Sequence, residues 1–455
     1  MSVENKSKKS VKVIQTARDT GDRLTQKDDV YFEKATSDIE RFLINVYEDV
    51  TFQEIEGFGG AFTEAASTTL DKMSPDKRAE ILNAYFNPKT GLGYNMCRTH
   101  INSCDFSLGN YAYTEVEGDV NLEHFTIERD RKSLIPFIKD AMAVEGADFR
   151  LFASPWSPPA WMKTTGEMNH GGKIKDEYRE AWAKYYARYI KEYDSEGIKI
   201  WGLTVQNEPI AVQRWDSCIY TAEEERDFVR DYLGPTLEKE GLGDVKLMIW
   251  DQNKERIYER AKIALTDPEA AKYIWGVAFH WYSGDHFEAL SAVNRMFPDI
   301  KMMLTEACQE RSKPTDMWTA AEKYGHDIIG NLNNWACGWV DWNLLLNVMG
   351  GPNHVGNYCD APIIADTEKN EVIYNGSYYY MGHFSKYIRP GAKRIASTKY
   401  TDKIETTAFL NTDGRIAVVV LNKSDEEVFF RLRYHDERVP LKSLPHSIMT
   451  LVFDA

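Results

Sequence analysis

The chain has 455 residues, 43% hydrophobic and 27% charged, a globular composition that excludes a disordered or fibrous protein. Its 55 basic against 70 acidic residues give a net charge of −15, a field that repels phosphate backbones and anionic lipid, so nucleic acid is excluded as the expected partner. Mean hydropathy is −0.49 and no apolar run approaches the roughly 18 residues of a spanning helix, which excludes membrane insertion.

The first ten residues, MSVENKSKKS, are polar and lack the apolar core of a secretory signal, which predicts a cytoplasmic chain. VKVIQTAR, DVYFEKA and RFLINVY follow and read as short strands before residue 50. Eight β-rich runs come next, at 55–62 (IEGFGGAF), 94–98 (YNMCR), 149–154 (FRLFAS), 200–205 (IWGLTV), 245–250 (VKLMIW), 276–279 (GVAF), 301–305 (KMMLT) and 338–341 (GWVD). Several are almost continuously apolar, as strands covered on both faces should be. Helical patterns fill the gaps. Ser74 is placed to cap a helix with Pro75 at its first position, and Thr221 to cap another whose early glutamates suit the helix dipole. Across 176–196, Tyr178, Trp182, Tyr185, Tyr189 and Tyr193 form an amphipathic stripe that reads as helix-to-barrel packing. Further helices are expected around 129–145, 255–272, 285–296, 318–335 and 376–388.

Strand and helix thus alternate eight times, the pattern of a (β/α)8 barrel of the α/β class. After Pro390-Gly391 the chain changes to short alternating strands: KRIASTKY, IETTAFL, RIAVVVLN, EVFFRLRY and SIMTLVFD. The expected organisation is therefore N-terminal strands at 1–50, a barrel at 51–388 and C-terminal strands at 389–455, the two ends joining in a side β-sandwich. The six cysteines, with no CxxC among them, read as buried free thiols and not as a disulfide framework or a zinc site.

Barrels carry their reactive groups at the C-terminal ends of the strands. The runs end in Thr63-Glu64; Arg98 with Asp105 in its loop; Pro155-Trp156, with Trp161 beyond; Gln206-Asn207-Glu208-Pro209; Asp251-Gln252-Asn253; His280-Trp281-Tyr282; Glu306; and Trp342-Asn343. Glu208 and Glu306 close the fourth and seventh strands, which face one another across the mouth. Opposed carboxyls about 5–5.5 Å apart are what a retaining glycosidase needs, one ionised to attack the anomeric carbon and one protonated to release the alcohol. Arg98 is placed to hold the attacking carboxylate's pKa down, Asn207 to bond the sugar 2-hydroxyl, and His280 to bond a glutamate. Trp156, Trp281, Tyr282 and Trp342 supply faces for the apolar side of a pyranose.

These residues lie in stretches that resemble glycoside hydrolase family 30, in particular its glucosylceramidase-like branch. The matching segments are QEIEGFGGAFTEAA at 53–66, GLGYNMCRTHINSCDFS at 91–107, LFASPWSPPAWMKT at 151–164, TVQNEP at 204–209 and LTDPEAAKYIWGVAFHWY at 265–282. LTEAC at 304–308, GWVDWNLLLNVMGGPNHVGN at 338–357 and YYMGHFSKYIRPGAKRI at 379–395 continue the series. The resemblance implies a retaining β-glycosidase, a barrel with a side β-sandwich, and no cofactor or metal. It implies Glu208 as acid/base and Glu306 as nucleophile, with Asp105, Trp156, Asn207 and Trp342 on the sugar. Arg98, His280 and Tyr282 would surround the carboxylates, and Asn357 would border the entrance.

The loop after Pro209, IAVQRWDSCIYT, departs from the lysosomal type, and no basic amphipathic segment reaches for lipid. The reading is therefore a β-glucosidase acting on β-glucosides or short β-glucans, with Trp215 as a candidate platform for the leaving group. The alternatives within the family are a β-1,6-glucanase, a β-xylosidase or a β-fucosidase. A metal-dependent hydrolase would require paired histidines at strand ends, which the sequence lacks, and a non-catalytic sugar-binding protein would require loss of a carboxylate.

Overall fold

The computed structural model describes residues 9–34, 41–312 and 316–455. Eight strands close into a barrel in chain order: β1 Gly57–Phe62, β2 Met96–Ile101, β3 Arg150–Pro155, β4 Ile200–Thr204, β5 Lys246–Asn253, β6 Ile274–His280, β7 Lys301–Glu306 and β8 Ala336–Asn343. Each overlaps one of the eight predicted runs. Every residue of β1, β2 and β8 is buried, polar ones such as Arg98, His100 and Asp341 included, so these strands do not alternate between buried and exposed positions.

Several strands run further toward the mouth than their apolar cores. β5 continues through Asp251-Gln252-Asn253, and its pairing with β6 slips between Trp250 and Gln252, so Asp251 is the extra residue of a bulge. A second irregularity, between Phe279 and His280, sets His280 opposite Glu306 on β7. Both displacements lie at strand ends, where they re-aim side chains into the mouth.

The expected helices are present with shorter bounds, among them Pro75–Phe86, Leu134–Met142, Arg179–Ser195 and Phe287–Met296. Thr221 forms a full capping box with Glu224. Ser74 holds the N-cap position without a side-chain cap bond; its hydroxyl oxygen accepts from the Asn370 amide at 2.7 Å and its proton goes to the Asp76 carboxylate. The tyrosine stripe packs inward as read: Trp182, Tyr185, Tyr189 and Tyr193 are buried, and Asp130 accepts hydroxyls from Tyr193, Tyr111 and Tyr113. Among the features that escape the sequence reading are a short helix Glu64–Leu70 capped by Thr63 and a small sheet of Leu345–Asn347, Ile363–Asp366 and Glu371–Tyr374.

By internal contacts the chain divides into two units, one of residues 58–315 and 338–374, the other of 1–57, 316–337 and 375–455. The boundary expected at residue 50 falls inside a single strand, Leu43–Glu54. Helices Met317–Asn333 and Gly376–Ser385, counted with the barrel from sequence, group with the sandwich strands.

Within that second unit an 11-stranded sheet joins both ends of the chain, Ser10–Ala17 pairing with Ser447–Asp454 and Leu43–Glu54 with Lys393–Lys399. Its inner face is one apolar cluster, with Val11, Ile44, Ile416, Val418, Phe430, Leu432 and Leu451 at period-2 positions of different strands. Strand Glu437–Ser443 was not expected, since Pro440 interrupts its pattern; its partner Val428–Tyr434 alternates strictly. Of the DVYFEKA run, Val30–Tyr31 and Glu33–Lys34 are strands and Ala35 lies outside the described residues. Among the described residues no helix is long and apolar enough to cross a membrane.

The barrel wall leaves no room for a side chain at Gly59 of β1, where a Cβ would stand 1.9 Å from the Met96 carbonyl oxygen of β2. Gly59→Ala is therefore expected to separate these strands at a cost of about 3 kcal/mol, the upper end of overpacking penalties. A thermal melt checks this: an unchanged melting temperature contradicts the packing described.

Candidate active site

The mouth of the barrel holds a cavity of about 210 Å³. It is lined by Asp105, Trp156, Asn207, Trp342 and Asn357, by Gln213, Trp215, Gln252 and Asn253, and by Glu208, Tyr282 and Glu306, among others. Beneath it lies Arg98, a cation on β2 with no solvent exposure. A guanidinium carries five N–H donors, and all five are used. Nε donates to Ser154 Oγ at 3.0 Å, Nη1 to Glu306 Oε2 at 2.7 Å and the Thr305 carbonyl at 3.3 Å, and Nη2 to Asp251 Oδ2 at 2.7 Å and Asn207 Oδ1 at 2.9 Å.

Asp251 is the matching anion. It accepts from Arg98, from Thr204 at 2.7 Å, from Thr305 at 2.6 Å and from His280 Nε2 at 3.0 Å. Burial opposes its charge, but the Arg98 and His280 cations and these hydrogen bonds hold its carboxyl far below the usual range. Burial likewise opposes charge on His280, yet Glu306, Asp251 and Glu208 outweigh it and lift the imidazole to about 9. At neutral pH His280 is thus a cation, donating from both ring nitrogens, with Nδ1 3.4 Å from Glu208 Oε1 and 4.0 Å from Glu306 Oε1.

One oxygen each of Glu208 and Glu306 and the facing His280 nitrogen lie within 4.8 Å of one another. Among the described residues this is the group whose spacing would suit a metal ion. The two carboxylates differ in surroundings. Glu306 is bound by Arg98 and by the Tyr282 hydroxyl at 2.8 Å, and its side chain is 9% exposed. Glu208 contacts His280 and, at 3.4 Å, the Gln213 amide, and is 15% exposed. It sits at φ 48, in the left-handed region. The arginine contact expected of Glu306 is present, but its net effect is not the one expected. Burial lifts the Glu306 carboxyl above its ordinary value, and Glu208 adds to the lift, against the pull of His280, Arg98 and Tyr282.

Trp156 and Trp342 stack with ring centroids 5.0 Å apart, and the Arg98 guanidinium lies 4.8 Å and 5.5 Å from their rings. Asn357 donates to Asp105 Oδ2 at 3.0 Å. All ten site residues read from sequence are therefore either on the cavity wall or, for Arg98 and His280, directly behind it. Trp281 is the exception among the rim aromatics. His280 and Tyr282 reach the site, whereas Trp281, in the bend just past β6, is buried in the core against Trp339.

Family models agree with this architecture: the glycosyl hydrolase family 30 TIM-barrel domain matches residues 55–388, and the family 30 beta sandwich domain matches 391–451. The chain belongs to glycoside hydrolase family 30. It is 38% identical to lysosomal acid glucosylceramidase of Mus musculus over 405 residues, 85% of this chain and 78% of that protein. It is 27% identical to an endo-1,6-beta-D-glucanase of Neurospora crassa, over 83% and 80% of the two chains. The solved structure of SrfJ from Salmonella typhimurium superposes with a TM-score of 0.94 at 38% identity, covering 98% of this chain and all of that one. The protein is accordingly a glycoside hydrolase with a carbohydrate substrate.

The family 30 site also contains residues that the sequence reading did not assign. Asp251 is the clearest: its position at a strand end was visible, but its role depends on the bulge that turns it toward Arg98. Gln252 and Asn253 line the cavity from the end of β5 and Gln213 and Glu310 from beyond β4 and β7, as do Cys308 and Cys359, free thiols whose sulfurs are 3.4 Å apart.

Asp105 supplies a pH-dependent test of the site's electrostatics. Burial, with repulsion from Glu306 behind it, raises its carboxyl to about 8 despite the Asn357 hydrogen bond. An acid held above its unfolded value of about 3.9 costs stability progressively as pH rises from there toward 8, because only the unfolded state releases its proton in that window. Asp105→Asn removes this penalty, so the variant's gain in melting temperature over the parent is expected to widen from pH 4 to 8 and then level off. A gain that does not vary with pH contradicts a neutral Asp105.

Proposed function

We propose that this family 30 enzyme hydrolyses terminal β-D-glucosyl groups from β-glucosides or short β-glucans with retention of configuration. The observation that carries the reading is the close approach of two carboxylates in unlike surroundings. Facing oxygens within 4.8 Å of each other support the retaining arrangement, whose carboxyls stand about 5–5.5 Å apart, over the inverting one, at about 6.5–9.5 Å. Glu306, gripped by Arg98 and Tyr282, is the nucleophile: its oxygen bonds to the anomeric carbon as the glycosidic C–O bond breaks. Glu208, nearer solvent, gives its proton to the departing oxygen. It then takes a proton from water, which attacks the same carbon and releases Glu306 as carboxylate.

The cavity groups suit one sugar ring in this role. Asn207 spends its side-chain oxygen on Arg98, which leaves the amide N–H2 as a donor for the 2-hydroxyl. Asp105, neutral below pH 8, can both donate to and accept from a sugar hydroxyl, and the Trp156–Trp342 pair offers an aromatic wall to C–H groups. Similarity to the Neurospora crassa endo-1,6-beta-D-glucanase favours a second reading, cleavage within β-1,6-glucan. The products separate the two, since terminal attack on a β-1,6-glucan releases glucose from the outset whereas internal attack releases oligosaccharides first.

Glu306→Gln is expected to abolish turnover of aryl β-glucosides while the melting temperature stays near that of the parent. Glu208→Ala should lose about 10²–10⁴-fold on substrates whose leaving group needs a proton. With an activated aryl glucoside, azide should restore its turnover and yield the β-glucosyl azide. Proton NMR of the first-formed sugar checks the stereochemistry, and appearance of the α-anomer first would overturn the double displacement.

A further inference from the structure

We propose that Trp215 is the leaving-group platform of this cavity, on which a second pyranose ring stacks, so that the natural aglycone is a sugar and not a lipid chain. The inference rests on the reading of Glu208 as the acid: the group that protonates the departing oxygen marks the side on which the aglycone lies. Glu208 opens the loop that carries both Gln213 and Trp215. Gln213 touches the Glu208 carboxylate, and Trp215 lines the same cavity, half-buried against the apolar cluster that includes Trp156 and Trp342.

The polar part of this wall has the chemistry of a sugar site. Gln252 and Asn253 each spend their side-chain oxygen on a backbone N–H, of Ile210 and of Tyr282, which leaves their amide N–H2 groups as donors. With Gln213 and Glu310 they set hydroxyl partners around one aromatic face, the combination that holds a hydroxylated ring in a defined orientation. An alkyl chain would leave those amides without partners.

The platform is also held rigid. The residues beside Trp215 are fixed from several directions. Asp216 accepts from Ser103 at 2.5 Å and Asn110 at 2.9 Å, and the Ser217 hydroxyl accepts from the Gly171 N–H at 2.9 Å. Lys163, wholly buried, donates to the carbonyls of Ser217 and Met168. The His170 N–H bonds the Gln213 carbonyl at 2.7 Å. A ring presented this way loses little freedom when it binds, which is what an effective stacking surface requires.

The test compares Trp215→Ala and Trp215→Phe with the parent on three kinds of substrate: β-D-glucosyl fluoride, whose leaving group has no ring; the best of gentiobiose, laminaribiose and cellobiose; and octyl β-D-glucoside. The expected result for Trp215→Ala is a loss of roughly tenfold in kcat/KM on the disaccharide, with the fluoride within about twofold of the parent, and recovery of most of the loss in Trp215→Phe. Equal losses on fluoride and disaccharide would overturn the platform, as would a parent enzyme that cleaves the octyl glucoside but none of the disaccharides. A parent inactive on the fluoride itself would refute the proposed function, and the platform with it.

Discussion

The site depends on one buried cation. Moving a guanidinium out of water costs several kcal/mol even after relaxation, and that cost is offset only when charge and hydrogen bonds are matched on all sides. Arg98 meets the condition with five acceptors for five donors, drawn from Ser154 on β3, Asn207 just past β4, Asp251 on β5, and Thr305 and Glu306 on β7. One side chain on β2 therefore fixes the positions of four other strand ends. Lysine, with three donors on a flexible stem, would leave acceptors buried and empty.

That frame in turn accounts for the irregular backbone around it. Trp250 and Asp251 are both at positive φ, at 74 and 57, and Glu208 lies at 48. Non-glycine residues adopt such values at a cost, so their surroundings must hold them there. The bulge at Asp251 is held by the four bonds its carboxylate accepts, and the Glu208 N–H is in turn bound to the Asp251 carbonyl at 3.0 Å. Two cations, Arg98 and His280, face the anions Asp251 and Glu306, so negative charge on Glu306 is balanced even though burial opposes it. The Glu306 carboxylate accepts from Arg98 on one oxygen and from Tyr282 on the other, which fixes its position at the cavity.

Much of this was legible in the sequence because buried parallel strands leave a strong signal. Runs such as KMMLT and VKLMIW are apolar on both faces, and the polar residue that ends each run marks the mouth. Glu208, Glu306, Arg98 and His280 were found that way. What escaped depended on local geometry that composition does not encode. Trp281 lies between two site residues and reads like them, but in the bend after β6 it packs into the core. Asp251 differs from any other strand-end aspartate only through a one-residue slip in pairing with β6. The helix Glu64–Leu70 is too short to show a period, and in Glu437–Ser443 a proline masks an edge-like strand that still pairs along its length.

The division between strands and loops also bears on how substrate preference is built. Arg98, Asp251, His280 and Glu306 lie on strands, and Asn207 and Tyr282, which bond to Arg98 and Glu306, follow the ends of β4 and β6 by two or three residues. The groups on the Glu208 side, Gln213 and Trp215, come from the loop after β4, whose composition departs most from the lysosomal type. A loop of that kind can change its side chains without disturbing the charge balance beneath it, provided its own anchors are independent of the carboxylates. Most of them are: Lys163, Asp216 and Ser217 tie the loop to backbone and side chains of residues 103–110 and 168–171, and these bonds do not involve Arg98, Asp251 or Glu306. Gln213, which donates to Glu208 at 3.4 Å, is the point at which the loop meets a carboxylate, so changes in the loop away from Gln213 leave the charge balance around Arg98 in place.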